Sequence, residues 1–492
     1  MKAIDMKKIY IAFLGIMLSV SAFAQNFNSA YFLDGYKYRH RLNPAFASTR
    51  GYFGLPAVGG ISVYVQSDLG MNTLLYPYGD RLTTFMNSSV SADEFLGKLK
   101  KNNYLGADVS ANIISVGAWG NKGFTSVELN VKGSANVNLP YDLFDFMKNA
   151  GARQSYDISN LGVRANAYAE LSIGHSRSIT EHLNIGAKVK LLVGLANVRA
   201  QIDNMNLLMT EDKWAVTANG SLSASVPGLV IPTRAESGAE ITGSQSPDDL
   251  DFSNISFDAD RLMSDLSSSL GFGAAIDLGA EYRFGGILEG LNVSAAILDL
   301  GFISWGSGLS ATTGENGWEF DGFDDVSFDE GSGNTIGNQF EAMGDDLLNM
   351  LNFHKDQSGK ARTDMLSCTL NLAAEYEMPF YHKMSVGFLY SSRIAGPYSK
   401  NEGRFSLNLS PAKWFGLSAS YGISDLGSSL GGVINFDLPG FGLFVGTDYV
   451  FWNVTPPIDG LGFGLPYNKL RLNLNFGLTF NISRYRTLGD WR

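Results

Sequence analysis

The chain is short of most of what enzymes and nucleic-acid binders are built from. It has one cysteine, Cys368, in 492 residues, so no internal disulfide and no multi-cysteine metal site can form. Its five histidines, His40, His175, His182, His354 and His382, include no HExxH spacing. Only 17% of residues are charged and the formal net charge is −11, which excludes the basic footprint of a nucleic-acid partner. After the first two dozen residues, no apolar run approaches the roughly 18 residues a spanning helix needs. That leaves an exported soluble protein or a β-barrel.

Reactive constellations are also missing. The one GxSxG match, Gly427-Ser428-Ser429-Leu430-Gly431, precedes a strand where a nucleophile elbow needs a helix, so it reads as a turn. His175 lies near Ser172 and Ser176 in sequence and reads as a girdle or turn histidine. The acidic run Asp321 to Glu330 (DGFDDVSFDE) lacks the EF-hand ligand spacing and reads as a solvated loop rather than a calcium site, as do Asp248, Asp249 and Asp251. No catalytic residue, cofactor or metal is assigned, and the chain reads as a non-enzyme.

What is present begins with an export signal. Lys7 and Lys8 precede a short apolar stretch, Ile9 to Val20, and Ala22-Phe23-Ala24 forms a small-x-small cleavage site. The expected leader is residues 1–24, with Gln25 as the mature N-terminus. The 56 Gly, 32 Phe and 21 Tyr suit strands, tight turns and interfacial aromatic belts.

The clearest structural signal is LRLNLNFGLTFNI, Leu470 to Ile482. Even positions are apolar and odd ones polar or Gly, the period-two pattern of a strand with one oily and one wet face. The run exceeds the roughly 9 to 11 residues of a tilted membrane-crossing strand. The same alternation recurs in Leu161–Ile173, Leu183–Leu195 and Phe272–Phe284. Further candidates are Ile61–Gln66, Ala107–Trp119, Phe124–Val137, Trp214–Val226, Leu291–Trp305, Leu366–Met378, Lys383–Arg393, Arg404–Ser410, Trp414–Ser424, Leu430–Leu438 and Phe441–Phe451. Within Leu291–Trp305 the apolar phase slips by one residue near Leu298, the mark of a bulge. Single-chain outer-membrane barrels are usually even-numbered, so these about 15 candidates predict an all-β transmembrane antiparallel barrel of about 14 strands (12–16).

Residues 25–492 are expected to form this one domain. Residues 25–57, without alternation but aromatic and basic, are expected to be a hatch-like segment. Residues 227–268 and 306–364 are expected to be long loops, the second with a helix over 338–352. Lumen-phase charges are Glu128, Lys132, Arg164, Glu170, Lys188, Lys190, Asp277, Glu281, Arg283, Glu375, Glu377 and Arg471. Both signs occur mid-strand, which predicts charges paired across a narrow or partly filled lumen rather than an open pore.

Three stretches carry a resemblance: Leu42-Asn43-Pro44-Ala45, Ile297-Leu298-Asp299-Leu300-Gly301-Phe302-Ile303-Ser304-Trp305 and Phe476-Gly477-Leu478-Thr479-Phe480. With the leader, they resemble an uncharacterised family of Bacteroidota outer-membrane barrels. That family is similar in outline to fatty-acid-transporter-like barrels, and an early Asn-Pro-Ala also occurs in barrel components of type IX secretion. The resemblance implies a cell outer-membrane location, a hatch bearing Asn43, Pro44 and Ala45, and passage of a small hydrophobic solute. The alternative it implies is a platform for a secretion or surface partner protein. One departure is the extension of Ser483 to Arg492 past the last strand, where many such barrels end on an aromatic residue.

Overall fold

A computed structural model describes residues 27–55, 59–78, 81–149, 151–209, 214–241, 245–313, 316–320, 352–356, 361–450 and 469–488. The leader with its cleavage site, the acidic run 321–330 and almost all of the helix expected over 338–352 lie outside the described residues.

Fourteen antiparallel strands form a closed barrel. β1 is in two pieces, Tyr52–Gly54 and Ile61–Ser67. It is followed by β2 (Asn102–Trp119), β3 (Phe124–Pro140), β4 (Gly162–Ser178), β5 (Leu183–Met209), β6 (Gly271–Arg283) and β7 (Leu291–Trp305). Then come β8 (Cys368–Glu377), β9 (Met384–Ile394), β10 (Lys400–Ala412), β11 (Phe415–Ser424), β12 (Gly427–Asp437), β13 (Phe441–Thr447) and β14 (Arg471–Asn481). Each strand pairs with the next in sequence, and β14 pairs with both pieces of β1 to close the ring. Among the described residues no helix is long and apolar enough to cross a membrane.

The polarity of the wall is inverted relative to a soluble protein. Val189, Leu191, Phe272, Phe405, Leu407 and Leu474 stand exposed on the outside, Val189 at 57% and Phe272 at 63%. Their alternating neighbours Lys188, Lys190, Arg404, Asn408, Asn473 and Asn475 are buried inside. Apolar outside and polar inside is stable only where lipid is the outer solvent.

One candidate strand, Trp214–Val226, is not part of the ring. β5 runs for 27 residues, about 90 Å at the usual strand rise and well beyond what the wall needs. Its first half pairs with β6. Its second half continues past the rim and pairs with Trp214–Ser225. That strand in turn pairs with Leu309–Thr313 and Asn316–Phe320. The result is a sheet beyond the barrel with its own small core of Ile202, Leu222, Leu250, Ala311 and Phe353. The stretches read as loops, 227–268 and 306–364, therefore carry structure: Ala259–Ser269 is helical, and Leu309–Thr313, Phe353–Lys355 and Arg362–Met365 are strands. Tyr52–Gly54, inside the segment read as hatch, belongs to the wall.

The expected phase slip is a bulge. Ile276 faces Leu300 but Leu278 faces Ile297, so Leu298 and Asp299 both turn inward and both are buried. Asp299 takes φ 57°, the left-handed region that Asp tolerates better than most residues.

Candidate functional site

Turns 120–123, 179–182, 284–290, 378–383, 413–414 and 438–440 lie at one end of the barrel, the short-turn end; the other end carries the long connections together with the short ones 395–399 and 425–426. Residues 27–49 fill the lumen and lead into the wall at Tyr52, which pairs with Asn481 at the short-turn end. They form two short 3₁₀ turns, Asn28–Ala30 and Arg39–Arg41. Of these residues only Asp34 is exposed. Their aromatic side chains pack edge-on against each other and the wall: Tyr31 on Phe46 at 5.2 Å, Tyr36 on Phe444 at 4.8 Å and Tyr38 on Tyr52 at 5.5 Å between ring centres. Such pairs add about 0.5–1.5 kcal/mol each beyond area burial.

Polar contacts tie the segment to wall strands around the ring. Ser29 donates its N–H and hydroxyl to Asp448 at 2.7 and 2.5 Å. Tyr31 Oη bonds Ser294 at 3.0 Å, Lys37 pairs with Asp437, and Asn371 donates to Leu42 O at 2.9 Å. Asn43-Pro44-Ala45 has a seat of its own. Asn43 Oδ1 accepts from Ala45 N at 2.9 Å, and its amide donates to Ala280 O and Ala295 O at 3.3 and 3.4 Å. Beneath it, Gly186 and Gly279 face each other across β5 and β6. A Cβ on Gly186 would overlap Pro44 O, and one on Gly279 would overlap Asn43 Oδ1 and come within 2.9 Å of Pro44 Cδ. Two register-paired glycines thus leave a dent that the motif fills.

Below mid-lumen lies a buried charge cluster. Lys190 pairs with Asp277 at 2.7 Å and Asp299 at 2.5 Å, and Lys132 with Glu170 at 2.7 Å. Asp299 N donates to Asp277 at 2.7 Å, so the bulge is what delivers this second carboxylate. Lys188 meets Glu128 at 3.0 Å and Arg41 of the lumen-filling segment meets the same carboxylate at 2.7 Å. His40 Nε2 lies 3.4 Å from it. Burial pushes the His40 imidazole below its usual pKa against the pull of Glu128. The adjoining cavity is about 70 Å³, room for a few waters.

Of the lumen charges read from strand phase, Glu128, Lys132, Glu170, Lys188, Lys190 and Asp277 meet here. Glu281, Arg283 and Glu375 lie at the short-turn rim around Asp34 and Arg39, lining a cavity of about 160 Å³ with Glu377. Arg164 donates to Met365 O at 3.2 Å near the opposite mouth. Arg471 donates to the Gly427 and Ser428 carbonyls at 3.3 and 3.2 Å. Phase reading missed Asp299, which the bulge turns inward, and Arg404. The Arg404 side chain is 1% exposed, and its guanidinium bonds Glu402, Ser420 and Ser29 at 2.7, 2.9 and 3.2 Å. Ser172 and Ser176 face inward and His175 outward, so they form no pair. Among the described residues no cluster of three metal-binding side chains occurs.

A model of a family of unknown function, DUF5723, matches residues 44–448. The chain belongs to DUF5723. No curated protein matches this DUF5723 chain. Among solved structures it is similar to the Pseudomonas putida toluene transporter TodX, with 11% identity, TM-score 0.37 and 95% and 97% of the two chains covered. It is also similar to the CymD monoaromatic hydrocarbon channel, with 10% identity, TM-score 0.39 and coverage of 94% and 95%. A Pseudomonas aeruginosa FadL homologue has 10% identity, TM-score 0.36 and coverage of 94% and 96%.

Proposed function

We propose that this DUF5723 chain is an outer-membrane passage protein for a small hydrophobic solute, with residues 27–49 as its hatch and Asn43, Pro44 and Ala45 as the motif that seats it. The reading rests chiefly on one observation: the hatch lies against the most irregular stretch of β1. Between Gly54 and Ile61, β1 has six residues where β2, between Ser115 and Ala111, has three. Gly59 N donates to Leu55 O at 2.7 Å and Asn112 N to Gly60 O at 3.0 Å, so the excess is a bulge, and Tyr38 of the hatch donates its hydroxyl to Gly59 O within it. A bulged strand with fewer ladder bonds is where a sideways route into lipid would open, one that an apolar solute can take and a hydrated one cannot. The paired lumen charges have no net pull on a neutral solute. The test is uptake of N-phenylnaphthylamine, a neutral aromatic probe that a lipopolysaccharide outer leaflet holds back, into intact cells carrying the full mature chain in their outer membrane. Uptake above that of cells lacking the chain is expected, and none for a hydrophilic dye of similar size. Equal rates with and without the chain would end the proposal.

A second reading has its own observation. The sheet beyond the rim, built on the second half of β5 and carrying its own core, is more than a passage protein needs. It suits a platform for a secretion or surface partner. Substituting its surface would then abolish partner capture and leave probe uptake unchanged.

A further inference from the structure

The buried charges of the lumen balance only while the hatch is seated. On the wall, the cluster sets the four carboxylates of Glu128, Glu170, Asp277 and Asp299 against the three ammonium groups of Lys132, Lys188 and Lys190. Arg41 of the hatch is the fourth cation. Its Nε and Nη2 donate to Glu128 Oε1 at 2.9 and 2.7 Å, and Nη2 reaches Asn130 Oδ1 at 3.3 Å. Lys188 holds the other Glu128 oxygen at 3.0 Å. The other ion pairs of the hatch differ in kind. Arg39 bonds Asp34 and Tyr31 O, both within the hatch. Lys37 meets Asp437, which keeps Arg50 at 3.4 Å and Asn481 at 2.7 Å without it. Only at Glu128 does the hatch supply a cation to the cluster, and because that carboxylate is 1% exposed while the hatch is seated, losing Arg41 there costs the closed state more than the loss of a surface pair would.

We infer that the Arg41–Glu128 pair is the latch of the hatch. Arg41 also lies 3.8 Å over the ring of Tyr38, and the Tyr38 hydroxyl donates to Gly59 O in the bulge of β1. Release of Arg41 from Glu128 therefore frees the side chain that holds that bulge. The latch rests on the hatch reading above and adds to it the residue pair that sets the closed state. It also assigns the class of group the Glu128 pocket accepts: a planar, fork-shaped cation, for which an ammonium is a poorer substitute.

The test is single-channel recording of the full mature chain in planar bilayers. Arg41→Ala is expected to raise open probability on the order of a hundredfold, and millimolar guanidinium chloride, but not sodium chloride at the same concentration, to close it again. Arg41→Lys is expected to fall between Arg41→Ala and the unmodified chain. Should Arg41→Ala fail to insert, Glu128→Gln carries the same expectation without rescue by guanidinium. Gly186→Val, which displaces Pro44 by overlap and leaves the pair intact, separates the two ideas. If Gly186→Val opens the barrel and neither Arg41→Ala nor Glu128→Gln does, the latch is wrong and the hatch stands. If none of the three opens it, the hatch reading itself is wrong.

Discussion

Substituting Gly186 and Gly279 tests the seating of Asn43-Pro44-Ala45 most cleanly, because barrel and hatch should respond in opposite directions. Both glycines lie in extended backbone with φ outside the left-handed region, so alanine is compatible with either strand. For the barrel, Gly→Ala within a strand is worth roughly 0.5–1 kcal/mol in its favour. For the hatch, the new methyl group occupies the space of Pro44 O or Asn43 Oδ1, and at Gly186 it lies 2.6 Å from Ala45 N. At Gly186 the obstructing atoms are backbone; at Gly279 they are the Asn43 amide oxygen and the Pro44 ring, the amide being held by its bonds to Ala280 O and Ala295 O, so neither site yields as a flexible side chain would. Overpacking of this kind costs about 1–3 kcal/mol, which shifts the seated-to-unseated ratio by roughly 5- to 150-fold per substitution. The assay is the rate at which a water-soluble maleimide labels Ala45→Cys in a Cys368→Ser background, with the barrel followed separately by its heat-modifiable migration. Faster labelling with an unchanged or higher barrel transition is expected. Unchanged labelling with a lowered transition would mean that the glycines serve the strands and not the hatch.

Three further outcomes follow from the wall. Lys190→Met leaves Asp277 and Asp299 without their shared cation and should destabilise the barrel by about 3–5 kcal/mol in urea titration of the lipid-reconstituted protein. At Asp299, glycine should be better tolerated than alanine by about 1 kcal/mol in the same titration, because only glycine takes φ 57° freely; the reverse order would remove the bulge from the account. Val189→Arg places a charge on the lipid face and should cost about 2–4 kcal/mol if Val189 lies near the midplane. Lumen-face Ser172→Ala, whose buried hydroxyl has no hydrogen-bond partner among the described residues, should change much less, and equal costs for the two would argue against the assigned faces.

Most of the wall was legible because lipid and lumen impose a period of two on every crossing strand. The ring strands Leu161–Ile173, Leu183–Leu195, Phe272–Phe284 and Leu470–Ile482 needed nothing more. Trp214–Val226 misled because a sheet with its own core beyond the rim imposes the same period as one in lipid, and nothing local separates them. Inward phase found Glu128, Lys132, Glu170, Lys188, Lys190 and Asp277, since a side chain's face is a local property. It lost Asp299 because one extra residue in β7 reverses the phase from that point. The partners Arg41 and His40 were not legible, since the hatch has irregular backbone and its contacts join residues far apart in the chain. Paired glycines at 186 and 279 carried a signal, but only the register between β5 and β6 reveals that they face each other under Pro44.

The central claim is that residues 27–49 close the barrel and must move for anything to pass. Ser29 Oγ and Ser420 Oγ lie 2.8 Å apart, one on the hatch and one on β11, so Ser29→Cys with Ser420→Cys, in the Cys368→Ser background, places two sulfurs within reach of a disulfide. The decisive measurement is N-phenylnaphthylamine uptake by this variant, oxidised and then reduced. Uptake is expected to be abolished on oxidation and restored by reductant. Uptake at the same rate in both states would show that the solute passes without the hatch moving, and would contradict that claim.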